Sequence, residues 1–263
     1  MLERIVIRVM ALVLLLAGCA APLSQVPPSG MPAAVPAPDI RVGDVWTYHV
    51  RDGFTGTARG AQRHEVVEVS GDYVRVAGIL ERGDGTQLYD RAWNWLRRPA
   101  TNLQTFEYAP AYQAFAFPLA AGKRWHQRLV ATDPADGRRF PIWIDGAVVG
   151  WERVQVPAGE FDALKVERTV YFEYWEYAVR GRSRISETEW YAPAAKQAVR
   201  KEARSQYWRL IAADDRPGFV QVRNGRAGRA GGGRGLLGGR DDGGPRYVED
   251  DWLIYELASY SVR

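Results

Sequence analysis

The chain has 263 residues, 46% of them apolar and 25% charged. That balance supports a folded core and excludes a disordered or collagen-like chain. The formal net charge is +4, a mild bias that neither demands nucleic acid nor excludes contact with anionic envelope surfaces. The aromatic content, 10 Trp, 13 Tyr and 8 Phe, leans toward pleated, half-buried structure and so toward sheet.

A short apolar run from Ile5 to Ala17 follows a charged start that includes Glu3 and Arg4, with Arg8 near its beginning. It is too short to span a bilayer, which takes about 20 apolar residues, and it has the form of an export signal. The run exits through Leu16-Ala17-Gly18-Cys19, and Cys19 is the single cysteine. These four residues resemble the lipobox of bacterial lipoproteins, in which the cysteine is lipidated and becomes the mature N-terminus. A lone cysteine cannot form an internal disulfide, so an exported chain that carries one needs such an explanation. The resemblance implies a signal peptide over 1–18 and a membrane anchor at Cys19. Ala20 stands where an aspartate commonly retains such proteins at the inner membrane, so a periplasm-facing outer-membrane lipoprotein is favoured over inner-membrane anchoring.

Residues 19–39 hold six prolines, from Pro22 to Pro38. Proline fixes φ and removes donors, so this stretch is expected to be an extended tether. From 40 to 263 the pattern is that of a β domain. Val45–Val50, Glu65–Val69 and Tyr73–Val76 are rich in β-branched and aromatic residues, and Ser70-Gly71-Asp72 forms a turn signal between the last two. Arg82-Gly83-Asp84-Gly85 marks another hairpin, and short strand-like pieces continue through Leu96 and Thr101–Tyr108. No long 3.6-residue periodicity follows the signal. A Gly/Arg-rich insertion over about 214–246 is expected to be disordered, and Tyr247–Val262 to return as a final strand. The fold class expected is mainly β: an antiparallel curved sheet or half-barrel with few helices.

The second half repeats the order of the first. Gly43-Asp44-Val45-Trp46 corresponds to Gly122-Lys123-Arg124-Trp125, and Glu68–Val76 to Gln155–Val166. A Trp-bearing segment follows in each, Arg91–Trp95 and Thr188–Tyr191. Two similar halves, or chance recurrence within a β-meander, both fit this pattern.

Catalytic signatures are sparse. His49, His64 and His126 are not spaced as a metal motif. His64-Glu65-Val66-Val67-Glu68 lacks the second histidine of a zinc-protease helix and reads as a strand. Asp133-Pro134-Ala135-Asp136-Gly137 suits a turn better than a calcium loop. Glu187 and Glu189 share one strand face, which admits an acid/base pair; a solvated face opposite Thr188 and Trp190 is the simpler expectation. No catalytic set, metal or cofactor is expected, and no nucleic acid, because the Gly/Arg segment lacks stacking aromatics. Val170–Tyr177 is aromatic on both faces. One face is expected to be core, and the face carrying Tyr171, Trp175 and Tyr177 is the candidate ligand groove.

Gly122-x-x-Trp125, Val156–Ala163 with its Pro-Ala-Gly-Glu-Phe, and Glu189-Trp190-Tyr191-Ala192-Pro193 occur in that order. The set resembles uncharacterised bacterial envelope β-proteins with Pro-Ala-Gly-x-Phe and Trp-Tyr-Ala-Pro motifs. The resemblance covers about 118–208 and departs at Ala194, where such proteins commonly have glycine. It implies a periplasm-facing sheet and no known reaction; likeness to the half-barrels of lipoprotein carriers is architectural analogy only. The function expected is a lipid-anchored, non-enzymatic binding or scaffolding module for an envelope protein, lipid or glycan. The alternative is an envelope hydrolase acting on glycan or lipid.

Overall fold

The computed structural model describes residues 23–79, 86–99, 105–176, 179–209 and 246–263. The lipobox with Cys19, the Arg82–Gly85 turn, Tyr177 and most of the Gly/Arg-rich insertion lie outside the described residues. Twelve antiparallel strands form one up-and-down meander that closes on itself. They are β1 (Val45–Asp52), β2 (Ala58–Val69), β3 (Val74–Ile79), β4 (Gln87–Tyr89), β5 (Trp95–Pro99), β6 (Thr105–Tyr112), β7 (Arg124–Thr132), β8 (Arg139–Val156), β9 (Gly159–Glu176), β10 (Val179–Ala192), β11 (Gln197–Arg209) and β12 (Arg246–Ser261). The only helical element among the described residues is a 3₁₀ turn at Pro193–Ala195. The sheet goes further than a half-barrel: β12 pairs with β1 from Val45↔Ser261 to Asp52↔Leu253, so no edge strand remains.

Period-two burial builds the wall. Along β9, Leu164, Val166, Arg168 and Val170 point inward, while Glu167 is exposed on the outside. The outer wall is polar: Asp145, Glu167, Ser186 and Arg204 are exposed, and it carries ion pairs such as Arg153–Glu160 (2.6 Å) and Arg204–Glu249 (2.8 Å). A membrane-spanning barrel presents an apolar band to lipid, so this wall is built for water.

Odd-numbered strands start at one end of the barrel, termed here the floor end. Trp46, Trp93, Leu164, Val166, Tyr191 and Leu257 fill that end with almost no exposure. Trp46 Nε1 donates to Ala195 O (2.7 Å), Trp93 Nε1 donates to Lys196 O (2.9 Å), and the two indoles meet edge to face at 5.5 Å. The buried Asp44 clasps three segments. It accepts from Arg41 N (3.0 Å) and Arg263 N (2.9 Å), and pairs with Lys196 Nζ at 3.3 Å.

The two halves begin alike. Gly43 N donates to Val66 O and Val66 N to Asp44 O; Gly122 N donates to Val148 O and Val148 N to Lys123 O, all at 2.8–2.9 Å. Gly43 and Gly122 have φ of +87° and +82°, a region that favours glycine. The β2–β3 and β8–β9 hairpins also correspond. The third sequence match does not: Trp93 sits in the turn after β4, whereas Trp190 lies on β10. The positions that correspond there are the two left-handed turn residues, Trp93 (φ +60°) and Lys196 (φ +53°).

The proline-rich segment differs from a free tether. Ser24 and Trp151 exchange backbone hydrogen bonds of 2.8 and 2.7 Å, Gln25 Nε2 donates to Val149 O (2.7 Å), and Val35 and Leu119 exchange two more of 2.8 Å. Composition alone pointed to an extended spacer, but its non-proline residues keep donors and its apolar Val35 is 3% exposed against the floor. Gly150 permits this docking, because a Cβ there would lie 2.8 Å from the Ser24 carbonyl oxygen. Gly150→Ala is therefore expected to release residues 23–26 and to destabilise by roughly 1–3 kcal/mol, the usual range for overpacking. Limited proteolysis with a thermal melt checks this. An unchanged N-terminal cleavage pattern and an unchanged melt would show that the docking does not depend on Gly150.

Candidate functional site

The inward positions change character at the level of Arg168. Its side chain is fully buried. Nε lies 2.9 Å from Glu187 Oε2, Nη2 lies 2.5 Å from Glu189 Oε1, and Nη1 donates to Ala114 O at 2.7 Å. Tyr112 OH donates to the same Glu187 Oε2 at 2.5 Å. Glu187 and Glu189 thus face the interior and not a solvated outer face. Trp190, on the opposite parity, is the residue outside, where its Nε1 donates to Glu152 Oε2 (2.9 Å) and Lys165 and Arg200 lie over its ring. The expected solvated glutamate face opposite Thr188 and Trp190 is thus the inner face of the strand.

Burial pushes Glu189 toward protonation, but Arg168, Lys201 and Arg98 outweigh it and hold the carboxyl below its usual range. Burial likewise opposes the charge of Arg168, and Glu187 and Glu189 more than restore it. The three groups form a closed ionic layer across the barrel.

Beyond this layer lies a cavity of about 140 Å³. Its floor includes Glu187, Glu189 and Tyr112, and its walls include Phe106, Ile142, Val170, Phe172, Ile185, Leu253 and Tyr255. Phe106, Phe140 and Phe172 form an aromatic cluster with ring centroids 5.0–5.6 Å apart. Two further cations line the same space. The Arg98 guanidinium lies 4.0 Å over the Trp95 ring, which stacks on Tyr112 at 4.0 Å. Lys201 Nζ lies 5.0 Å from the Tyr48 ring centroid. No ion pair or hydrogen bond is formed by either cationic group among the described residues.

Burial lowers Lys201 to about 8; Glu189 resists the shift, and Arg98 and Arg168 add to it. His64, behind Tyr48, is lowered to about 3 by burial, then by Lys201 and Arg98, and is neutral at pH 7. Among the described residues no cluster of three metal-ligating groups occurs.

Of the candidate groove residues, Tyr171 is half-buried on the outer wall. It lines an open depression with Trp143, His126 and Asp145, where His126 Nδ1 and Asp145 Oδ1 are 2.6 Å apart. Trp175 follows on the same strand, and Tyr177 is outside the described residues. Phe172, on the other parity, is the aromatic that reaches the cavity. Arg98, Arg168 and Lys201 were missed from sequence. The signal for Arg168 was a charged residue sharing parity with Leu164, Val166 and Val170.

Two stability tests follow from this geometry. Arg168→Met leaves two buried carboxylates without their cation and is expected to cost roughly 3–5 kcal/mol at pH 7. Adding Glu187→Gln and Glu189→Gln should recover more than half of that; no recovery in a denaturant melt would show that the ion layer is not the cause. Lys201→Met should stabilise. With a folded pKa of about 8, below the ordinary value near 10.4, the folded state resists a proton that the unfolded chain holds. Wild-type stability therefore rises relative to Lys201→Met as pH goes from 8 to 10, by roughly 2 kcal/mol. A constant difference over that window would contradict the placement of Lys201.

No protein-family model matches the chain, and no curated protein matches it. Solved structures do show likeness. A candidate lipoprotein of Parabacteroides distasonis is 12% identical with a TM-score of 0.42, covering 86% of this chain and 99% of that one. The hypothetical lipoprotein YmcC of Escherichia coli K12 is 12% identical with a TM-score of 0.39, covering 60% and 75%. A candidate exported protein with a YmcC-like fold from Bacteroides fragilis is 13% identical with a TM-score of 0.36, covering 87% and 99%. All three scores fall below 0.5, and the likeness carries neither activity nor ligand to this chain.

Proposed function

We propose that the chain is a lipid-anchored protein of the cell envelope, attached through Cys19 to the periplasmic side of the outer membrane, whose barrel is a small-molecule binding module. The cavity is the observation that carries the binding reading. A closed barrel with a packed floor ends in a mostly apolar, aromatic-walled space lined by two cations that lack fixed partners. Such a concave, mostly apolar space with a few convergent polar groups is the usual form of a ligand site. It is preferred to the outer Tyr171 depression, which is more open to solvent and bordered by exposed charges.

The rival reading, a hydrolase using Glu187 and Glu189, has less support. A glycosidase pair needs one carboxyl kept protonated as the acid. Here both carboxylates share Arg168, and Glu189 is held in its charged form.

The docked N-terminal segment orients the module. Ser24 lies five positions after Cys19, a reach of roughly 17 Å when extended. Ser24 is fixed at the floor end, so an acylated Cys19 would hold that end near the bilayer and turn the cavity end away from it. The module would then take its ligand from the periplasm and not from the membrane that anchors it.

Metabolic labelling with a fatty-acid probe is expected to mark wild type and not Cys19→Ala; equal labelling of the two removes the anchor. Native mass spectrometry of the full-length protein, released from membranes, is expected to show a retained small molecule that is lost in Ala203→Phe, which fills the cavity. A ligand-free mass for folded wild type, or turnover of an envelope glycan that Glu189→Gln abolishes without unfolding, would replace the binding reading.

A further inference from the structure

The two cavity cations occupy matching places in the two halves of the barrel. Arg98 lies five residues after Trp93, and Lys201 five residues after Lys196, the paired left-handed turn residues. Both pairs are 103 positions apart. Arg98 reaches the cavity from β5 and Lys201 from β11, each resting on an aromatic ring. Both act on Glu189 and on His64, which places them in one electrostatic neighbourhood.

We propose that Arg98 and Lys201 form a single clamp for the carboxylate of a small monoanionic ligand, whose apolar body lies against Phe106, Ile142 and Phe172. This rests on the cavity being a binding site and specifies what the site accepts. Arg168 is not available, because its donors are taken by Glu187, Glu189 and Ala114 O. Holding two half-buried cations over one cavity without fixed partners is unfavourable for folding alone, and an incoming anion offsets that cost. Charge sets the valence. Arg98, Arg168 and Lys201 stand against Glu187 and Glu189, while Glu202 is paired with Arg200 at 2.6 Å. The interior is left with one net positive charge, which a carboxylate neutralises and a phosphate dianion overshoots. Size sets the body: about 140 Å³ is close to the roughly 150 Å³ of an engineered apolar cavity that holds benzene.

Calorimetry on the full-length protein at pH 7 with benzoate, benzyl alcohol and inorganic phosphate tests this. Benzoate is expected to bind one to one and at least about 10-fold tighter than benzyl alcohol, the ratio given by one charge-assisted hydrogen bond. Phosphate should bind more weakly than benzoate. Arg98→Met and Lys201→Met should each weaken benzoate by about 10-fold or more and leave benzyl alcohol within about 2-fold, and Lys201→Arg should retain benzoate. Equal affinities for benzoate and benzyl alcohol in wild type would overturn the clamp while leaving the cavity a binding site. Phosphate binding tighter than benzoate would overturn the monoanion assignment. Binding of none of the three by folded protein would overturn the clamp and the cavity reading together. The wild-type comparison of the three probes stands even where a variant fails to fold.

Discussion

Arg168 is the constraint around which the interior is organised. A buried guanidinium must be neutralised and must satisfy its donors. Glu187, Glu189 and the Ala114 carbonyl do both at 2.5–2.9 Å. That fixes the register of β10 against β9 more firmly than apolar contacts could, because a one-residue slip would carry both glutamates to the outer wall and strand the arginine. The layer also divides the barrel. On the floor side the space is filled by tryptophans and aliphatics; on the other side filling stops and the cavity begins. A closed barrel of twelve strands is wider than the eight-strand form that side chains just fill, so some device must decide where packing ends.

The two halves of the barrel share features that reach the cavity. The Gly43 and Gly122 turns make the same hydrogen bonds to the second strand of their halves. The Trp93 and Lys196 turns then set β5 and β11 in matching positions. Divergence is greatest where the halves differ in task. Asp44 in the first turn clasps Arg41 and Arg263, whereas Lys123 in the second reaches Pro118 O at 2.9 Å and also the Ala116 carbonyl. At the cavity the halves keep like charge, one arginine and one lysine.

Much of the wall was legible in the sequence. β1, the β2–β3 hairpin, the Asp133–Arg138 turn and the last strand follow from turn residues and β-branched runs, and alternation placed Phe172 opposite Tyr171. Closure of the barrel was not legible, because β1 and β12 are brought together by the sum of twist and stagger over twelve strands and no local pattern records it. The docking of residues 23–39 was hidden by proline content, which describes the free chain and not its contacts. A solvated face for Glu187 and Glu189 does not hold, because Trp190 takes the outer parity, covered by Lys165 and Arg200 over its ring and bonded to Glu152. Long cationic side chains cover apolar surface while their heads stay wet, so burial and inward direction part company on this wall.

The docked N-terminal segment and the cavity are connected through the same floor. Ser24 is tied to Trp151, Val35 to Leu119, and Asp44 to both Lys196 and Arg263, so the segment that leads toward Cys19 shares the packed end with the turns that carry β5 and β11. A floor of buried indoles is poorly deformable. It keeps the cations at fixed height above the ionic layer, where burial alone would favour drawing Lys201 out of the barrel or discharging it. The fold therefore spends stability at Lys201 and regains it in the tryptophan floor, and the two are separated by Arg168. That division lets one end of the barrel be packed and rigid while the other remains charged and unfilled.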